Sequence, residues 1–131
     1  MDANRISSGI VLSVVRWTSR ILAAALFFFW GAFFVEHLEW LSDPAGPPPW
    51  WVLGLMALHA LMLVGLIVGL RWERVGAALT LATATPFFYA AAGPYFLPFL
   101  LVTSLPPLLW LLIAWLDRRR APASRFPGAI E

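Results

Sequence analysis

Between Ile21 and Leu116 the chain carries formal charge in only two short clusters, Glu36 to Asp43 and Arg71 to Arg74. The residues between them form apolar runs long enough to need lipid or deep burial. About 20 mostly apolar residues in a helix cross a hydrocarbon core about 30 Å thick. Four runs approach that length: Ile21–Val35, Trp50–Leu70, Val75–Ala92 and Tyr95–Leu116. The first reaches full length only by including Trp17–Arg20 or by continuing past Glu36. The expected fold is therefore all-α, an integral membrane four-helix up-down-up-down bundle forming one transmembrane domain over residues 1–131. Its spans fall at about 17–37, 50–70, 74–92 and 95–116, with an interfacial segment at 1–16 and a basic tail at 117–131.

Composition excludes the main alternatives. With 61% apolar and 12% charged residues, the chain departs from soluble domains, which hold about 45–50% and about 25%. Disorder is excluded by the same apolar surplus. The absence of cysteine removes disulfide frameworks, thiolate metal sites and c-type haem attachment together.

All nine basic residues are arginines, and they fall at one end of the four-span layout. Arg5, Arg16 and Arg20 precede span one, Arg71 and Arg74 join spans two and three, and Arg118, Arg119, Arg120 and Arg125 follow span four. Positively charged short loops stay cytoplasmic, so both termini are expected in the cytoplasm. The net charge of +2 then reflects membrane topology and not a nucleic-acid footprint, while the tail can touch anionic lipid. Glu36, His37 and Glu39 stand where a signal peptide would need small residues, so span one reads as a retained helix. Ile6, Ile10 and Val14 share a face between Arg5 and Arg16, the pattern of an interfacial helix. Arginine without lysine, together with a retained first span, points to a bacterial inner membrane.

The turn Gly93-Pro94 is short enough to make spans three and four antiparallel neighbours. Asp43-Pro44 and Pro47-Pro48-Pro49 give the first outer loop an extended, stiff character. Gly65 and Gly69 form a small-x-x-x-small face suited to close backbone approach, either within the chain or between copies. Pro86, Pro106 and Pro107 are expected to kink their helices, freeing the carbonyls of Ala82, Val102 and Thr103.

Two constellations are candidates for function. His59 lies about 14 Å below Trp50, near the bilayer centre, at a depth close to that of the three prolines. With Thr83, Thr85, Thr103 and Ser104 it forms a candidate midplane polar site, read either as a ligand or proton site at broken helices or as hydroxyls repairing kinks. Glu36, His37, Glu39 and Asp43 form a candidate outer-face site for a cation or for a partner's arginine. His37 and His59 come out roughly 10–15 Å apart along the membrane normal, which excludes a bis-histidine haem unless span one runs deeper than its charges indicate. No cofactor or metal is expected, with haem on one histidine left open. No Ser-His-Asp set, metal triad or phosphate loop can be assembled, so the chain is not expected to be an enzyme.

The stretch Arg20–Trp40 (RILAAALFFFWGAFFVEHLEW), with Leu58-His59 and the run Gly69–Gly76 (GLRWERVG), resembles small uncharacterised bacterial four-helix membrane proteins classed as domains of unknown function. The layout is also similar to the DoxX-like group, which implies small subunits or partners of membrane oxidoreductases; no functional residue is carried over. The leading functional expectation is a non-catalytic accessory or scaffolding subunit, with the lipid bilayer and other membrane subunits or further copies as its partners. The alternatives are a small oligomeric transporter or channel using His59 and a haem- or quinone-associated redox subunit.

Overall fold

The computed structural model describes residues 3–44 and 46–120, with side chains from residue 9 to residue 119. It is all-helical: α1 (Ala3–Leu38), α2 (Trp50–Gly69), α3 (Glu73–Ala92) and α4 (Phe96–Arg120). Short 3-10 turns follow α1 at Glu39–Ser42 and precede α4 at Gly93–Tyr95. Arg125 and the rest of the basic tail beyond Arg120 lie outside the described residues, as do the side chains of Arg5 and Ile6.

The interfacial segment does not form a separate element. α1 runs unbroken for 36 residues, a length of about 54 Å, because nothing between Ser8 and Trp17 stops a helix once it has nucleated. Its first turns, with Ile10, Val11 and Val14 exposed, extend well beyond what a hydrocarbon core covers. α2 starts directly after Pro49, whose extended backbone (φ −55°, ψ 148°) carries the end of the proline run into the first helical turn. Pro86 sits inside α3 and Pro106-Pro107 inside α4, and neither helix is interrupted. Gly93 turns the chain with φ +52°, a left-handed conformation that glycine adopts without steric cost.

Successive helices run antiparallel. Phe34 meets His59 between α1 and α2, Gly69 meets Gly76 between α2 and α3, and Phe88 meets Phe99 between α3 and α4. α4 closes against α1 through the Trp30–Thr103 hydrogen bond. The α2–α3 seam is the tightest. A Cβ on Gly69 would enter the Trp110 indole, and one on Gly76 would meet the Gly69 backbone. Gly65 lies against Thr80, where a Cβ would stand 2.8 Å from the backbone nitrogen. The small-residue face of α2 is thus consumed within the chain, by Gly76 and Thr80 of α3. Trp110, itself fully buried, fills the space that Gly69 leaves.

Among the described residues, three helical segments are long and apolar enough to cross a membrane: Gly9–Ser42, Trp50–Gly69 and Glu73–Arg119. The four spans expected from sequence therefore correspond to three continuous segments. The third, 47 residues long, comprises α3, the 3-10 turn and α4, folded back on itself at Gly93–Tyr95.

Candidate functional site

His59 is 3% exposed and walled by aromatic rings. Phe87 lies with its ring centroid 4.6 Å away at 34°, Phe34 presents an edge at 5.3 Å, and Trp30 stands at 6.4 Å. His59 Nε2 is buried without a partner.

The second imidazole in this site is His37, its ring centroid 6.5 Å from that of His59. His37 Nδ1 hydrogen-bonds the Phe33 carbonyl, one turn back along α1, and Trp40 packs edge-on at 4.5 Å. A cavity of about 350 Å³ opens beside the pair, lined by His37, Trp40, Trp51, Met56, His59 and Phe87 among others. A second, of about 280 Å³, reaches the same two histidines from the side of Phe33, Phe88 and Phe99.

This convergence overturns the depth argument that separated the two histidines. Counting residues from each helix end assumes that α1 and α2 end level, yet they are joined by a 3-10 turn and then a turn closed by the Gly46 N–H to the Asp43 carbonyl, where the sequence predicts a wholly extended loop. Side-chain direction does the rest. A helical side chain leans toward its own N-terminus, so in antiparallel neighbours the ring of His37 leans inward and that of His59 leans outward. The two close the gap between them.

The expected midplane cluster is not gathered around His59. Thr83 is buried and donates to the carbonyls of Leu79 (2.8 Å) and Thr80 (3.3 Å). Thr85 is exposed and donates to the Leu81 carbonyl at 2.8 Å. These hydroxyls serve their own helix, and neither bond goes to the Ala82 carbonyl that Pro86 frees. Thr103, fully buried, accepts the Trp30 indole N–H at 3.0 Å. Ser104 is buried as well, but none of the four hydroxyl residues lines either histidine cavity.

Nor does the acidic cluster form a cage. Glu36, Glu39 and Asp43 are exposed, and among the described residues no group of three or more His, Cys, Asp or Glu is placed to hold a metal ion. His37, counted with these acids by sequence proximity, turns instead toward His59. The aromatic walls and Met56 escaped the sequence reading, although a signal was present. Trp30, Phe34 and His37 follow a 4-then-3 spacing along one face of α1, and Met56 and His59 are three apart on α2.

At the arginine-rich end, Arg16 ties three helices together. Its Nε reaches Glu73 Oε1 at 3.0 Å and its terminal nitrogen reaches Asp117 Oδ2 at 2.9 Å. Arg16, Arg20, Arg71 and Arg74 line a cavity of about 470 Å³ with these two acids. Asp117, which by sequence opens the basic tail, thus belongs to this end of the bundle.

A family model described as a domain of unknown function, DUF7670, matches residues 6–123. This bears out the resemblance to uncharacterised small membrane proteins, while the DoxX-like layout has no counterpart among the matches. No curated protein and no solved structure matches the chain.

Proposed function

The chain belongs to this family of unknown function, and from the geometry above we propose that it is a four-span protein of a bacterial inner membrane, acting as a non-catalytic accessory or scaffolding subunit of a larger membrane complex. In this reading both arms of the Glu73–Arg119 segment cross the bilayer, the arginine cavity faces the cytoplasm with both termini, and the histidine site lies toward the outer face.

The observation that carries the accessory role is the poor cover of α1. Only 11% of its most apolar stretch is buried against the rest of the chain, compared with 44% for α2. What it leaves outside is aromatic and bulky, with Phe28 74% exposed and Phe29, Phe33 and Val35 alongside. Helices associate in lipid through packing and not through exclusion of water, and the uncovered length of α1 offers such a packing surface to a complementary protein face. A transport role at His59 is less supported, because the hydroxyls of Thr83 and Thr85 are spent on their own helix and line neither histidine cavity.

The test is site-specific photo-crosslinking in native membranes. A photoreactive phenylalanine at Phe28 or Phe29 is expected to give a protein adduct of defined mass, and one at Leu105 on α4 to give lipid adducts only. Lipid adducts alone at all three positions would remove the accessory reading.

A further inference from the structure

The scaffolding role leaves the two imidazoles unused, and their arrangement is that of metal ligands. In metal-binding histidines one ring nitrogen typically donates to a carbonyl or carboxylate, which fixes the tautomer and presents the other nitrogen's lone pair. His37 meets this through the Phe33 carbonyl. His59 Nε2 is buried and unpartnered in a residue only 3% exposed. An unpartnered polar atom in such surroundings is costly unless something coordinates it.

The spacing fits a single shared ion. Two imidazoles bound through nitrogen at about 2 Å on opposite sides of one ion, the near-linear arrangement that Cu(I) accepts, have ring centroids about 6.3 Å apart, and a bent arrangement brings them closer. The rings stand at 6.5 Å. Met56, 9% exposed and three residues before His59 on α2, lines the same cavity and supplies a thioether.

The donor set also selects the ion. Among the described residues no carboxylate, lysine or arginine lines the cavity, whose other walls are Trp40, Trp51, Val52, Leu55, Phe87, Ala90 and Ala91. Calcium and magnesium require oxygen ligands. Zinc takes four ligands in closed sites and brings a double charge that no residue lining the cavity offsets. Soft thioether and imidazole donors favour Cu(I), which brings a single charge. We propose that His37, His59 and Met56 form a Cu(I) site at the outer end of the α1–α2 seam. It does not depend on the partner proposed above. The apolar walls disfavour the doubly charged, harder Cu(II).

The test uses the purified full-length chain in detergent under argon. Cu(I) is supplied as its acetonitrile complex against a chromogenic Cu(I) chelator, and the retained metal is analysed by X-ray absorption. One equivalent with two nitrogen ligands and one sulfur ligand is expected. His37→Ala, at a half-exposed position, is expected to lose the ion at chelator concentrations that the parent protein withstands. Met56→Leu, which preserves volume, is expected to weaken retention at least tenfold and to remove the sulfur ligand, with helical content unchanged in both variants. The proposal is overturned if His37→Ala retains copper as the parent does, if Zn(II) or Co(II) is held in preference to Cu(I), or if the protein purifies with a stoichiometric Soret band, which would make the pair a haem site.

Discussion

Trp30 couples three helices through one side chain. Its indole N–H donates to Thr103 on α4, and its ring lies 4.9 Å from Phe88 on α3 and 6.4 Å from the His59 ring on α2. Replacing Thr103 with valine keeps the shape and leaves the buried indole N–H without an acceptor, a loss of about 1–3 kcal/mol. Denaturation in mixed detergent micelles, followed by circular dichroism, should register that loss, and Thr103→Ser should restore most of it. Thr85→Val, on the exposed face of α3, should stay within about 0.5 kcal/mol of the parent. If Thr85 proved as sensitive as Thr103, the hydroxyls would be acting as the joint cluster the sequence suggested and not as separate local bonds.

At the scale of elements, the α2–α3 seam is set by glycine. Gly76→Ala places a methyl group against the Gly69 backbone, which no side-chain rotation can relieve, so the two helices must separate. Overpacking of this kind costs about 1–3 kcal/mol, whereas Gly54→Ala on α2, with nothing within 4 Å of the added carbon, should be neutral or slightly stabilising. The same denaturation measurement distinguishes them, and equal effects would mean that the seam is not where the helices meet most closely. The seam also marks how far sequence reading reaches. The starts of α2 and α3 were legible because Pro49 and the Arg71–Arg74 link are local signals, and the Gly65/Gly69 face was legible as a spacing. The register of one helix against its neighbour was not, since hydropathy records how long a segment is and not how high it sits. That is why His37 was assigned to the acids beside it in sequence while its ring turned to His59 across the α1–α2 gap. The continuity of α1 was missed for a related reason, because an amphipathic start and an apolar continuation look like two elements although nothing between them breaks the helix.

At the scale of the molecule, the two ends differ in chemistry. One holds Arg16, Arg20, Arg71 and Arg74 around a cavity closed by Glu73 and Asp117. The other holds Trp40, Trp51 and the two histidines. The ion pairs of Arg16 are partly exposed and contribute at most about 1 kcal/mol each, so their value lies more in holding three helix ends together than in stability. In the proposed four-span topology the positive-inside rule puts the arginine end in the cytoplasm. The chain has no cysteine, so single cysteines report each loop without background. The most direct measurement is labelling of Ser42→Cys, Trp72→Cys and Tyr95→Cys by a membrane-impermeant maleimide in cells with a permeabilised outer membrane. The four-span account predicts that Ser42 and Tyr95 label in intact cells and Trp72 only after lysis. Labelling of Tyr95 only after lysis, together with Trp72, would contradict it, since α3 and α4 could not then be two crossings joined at the outer face.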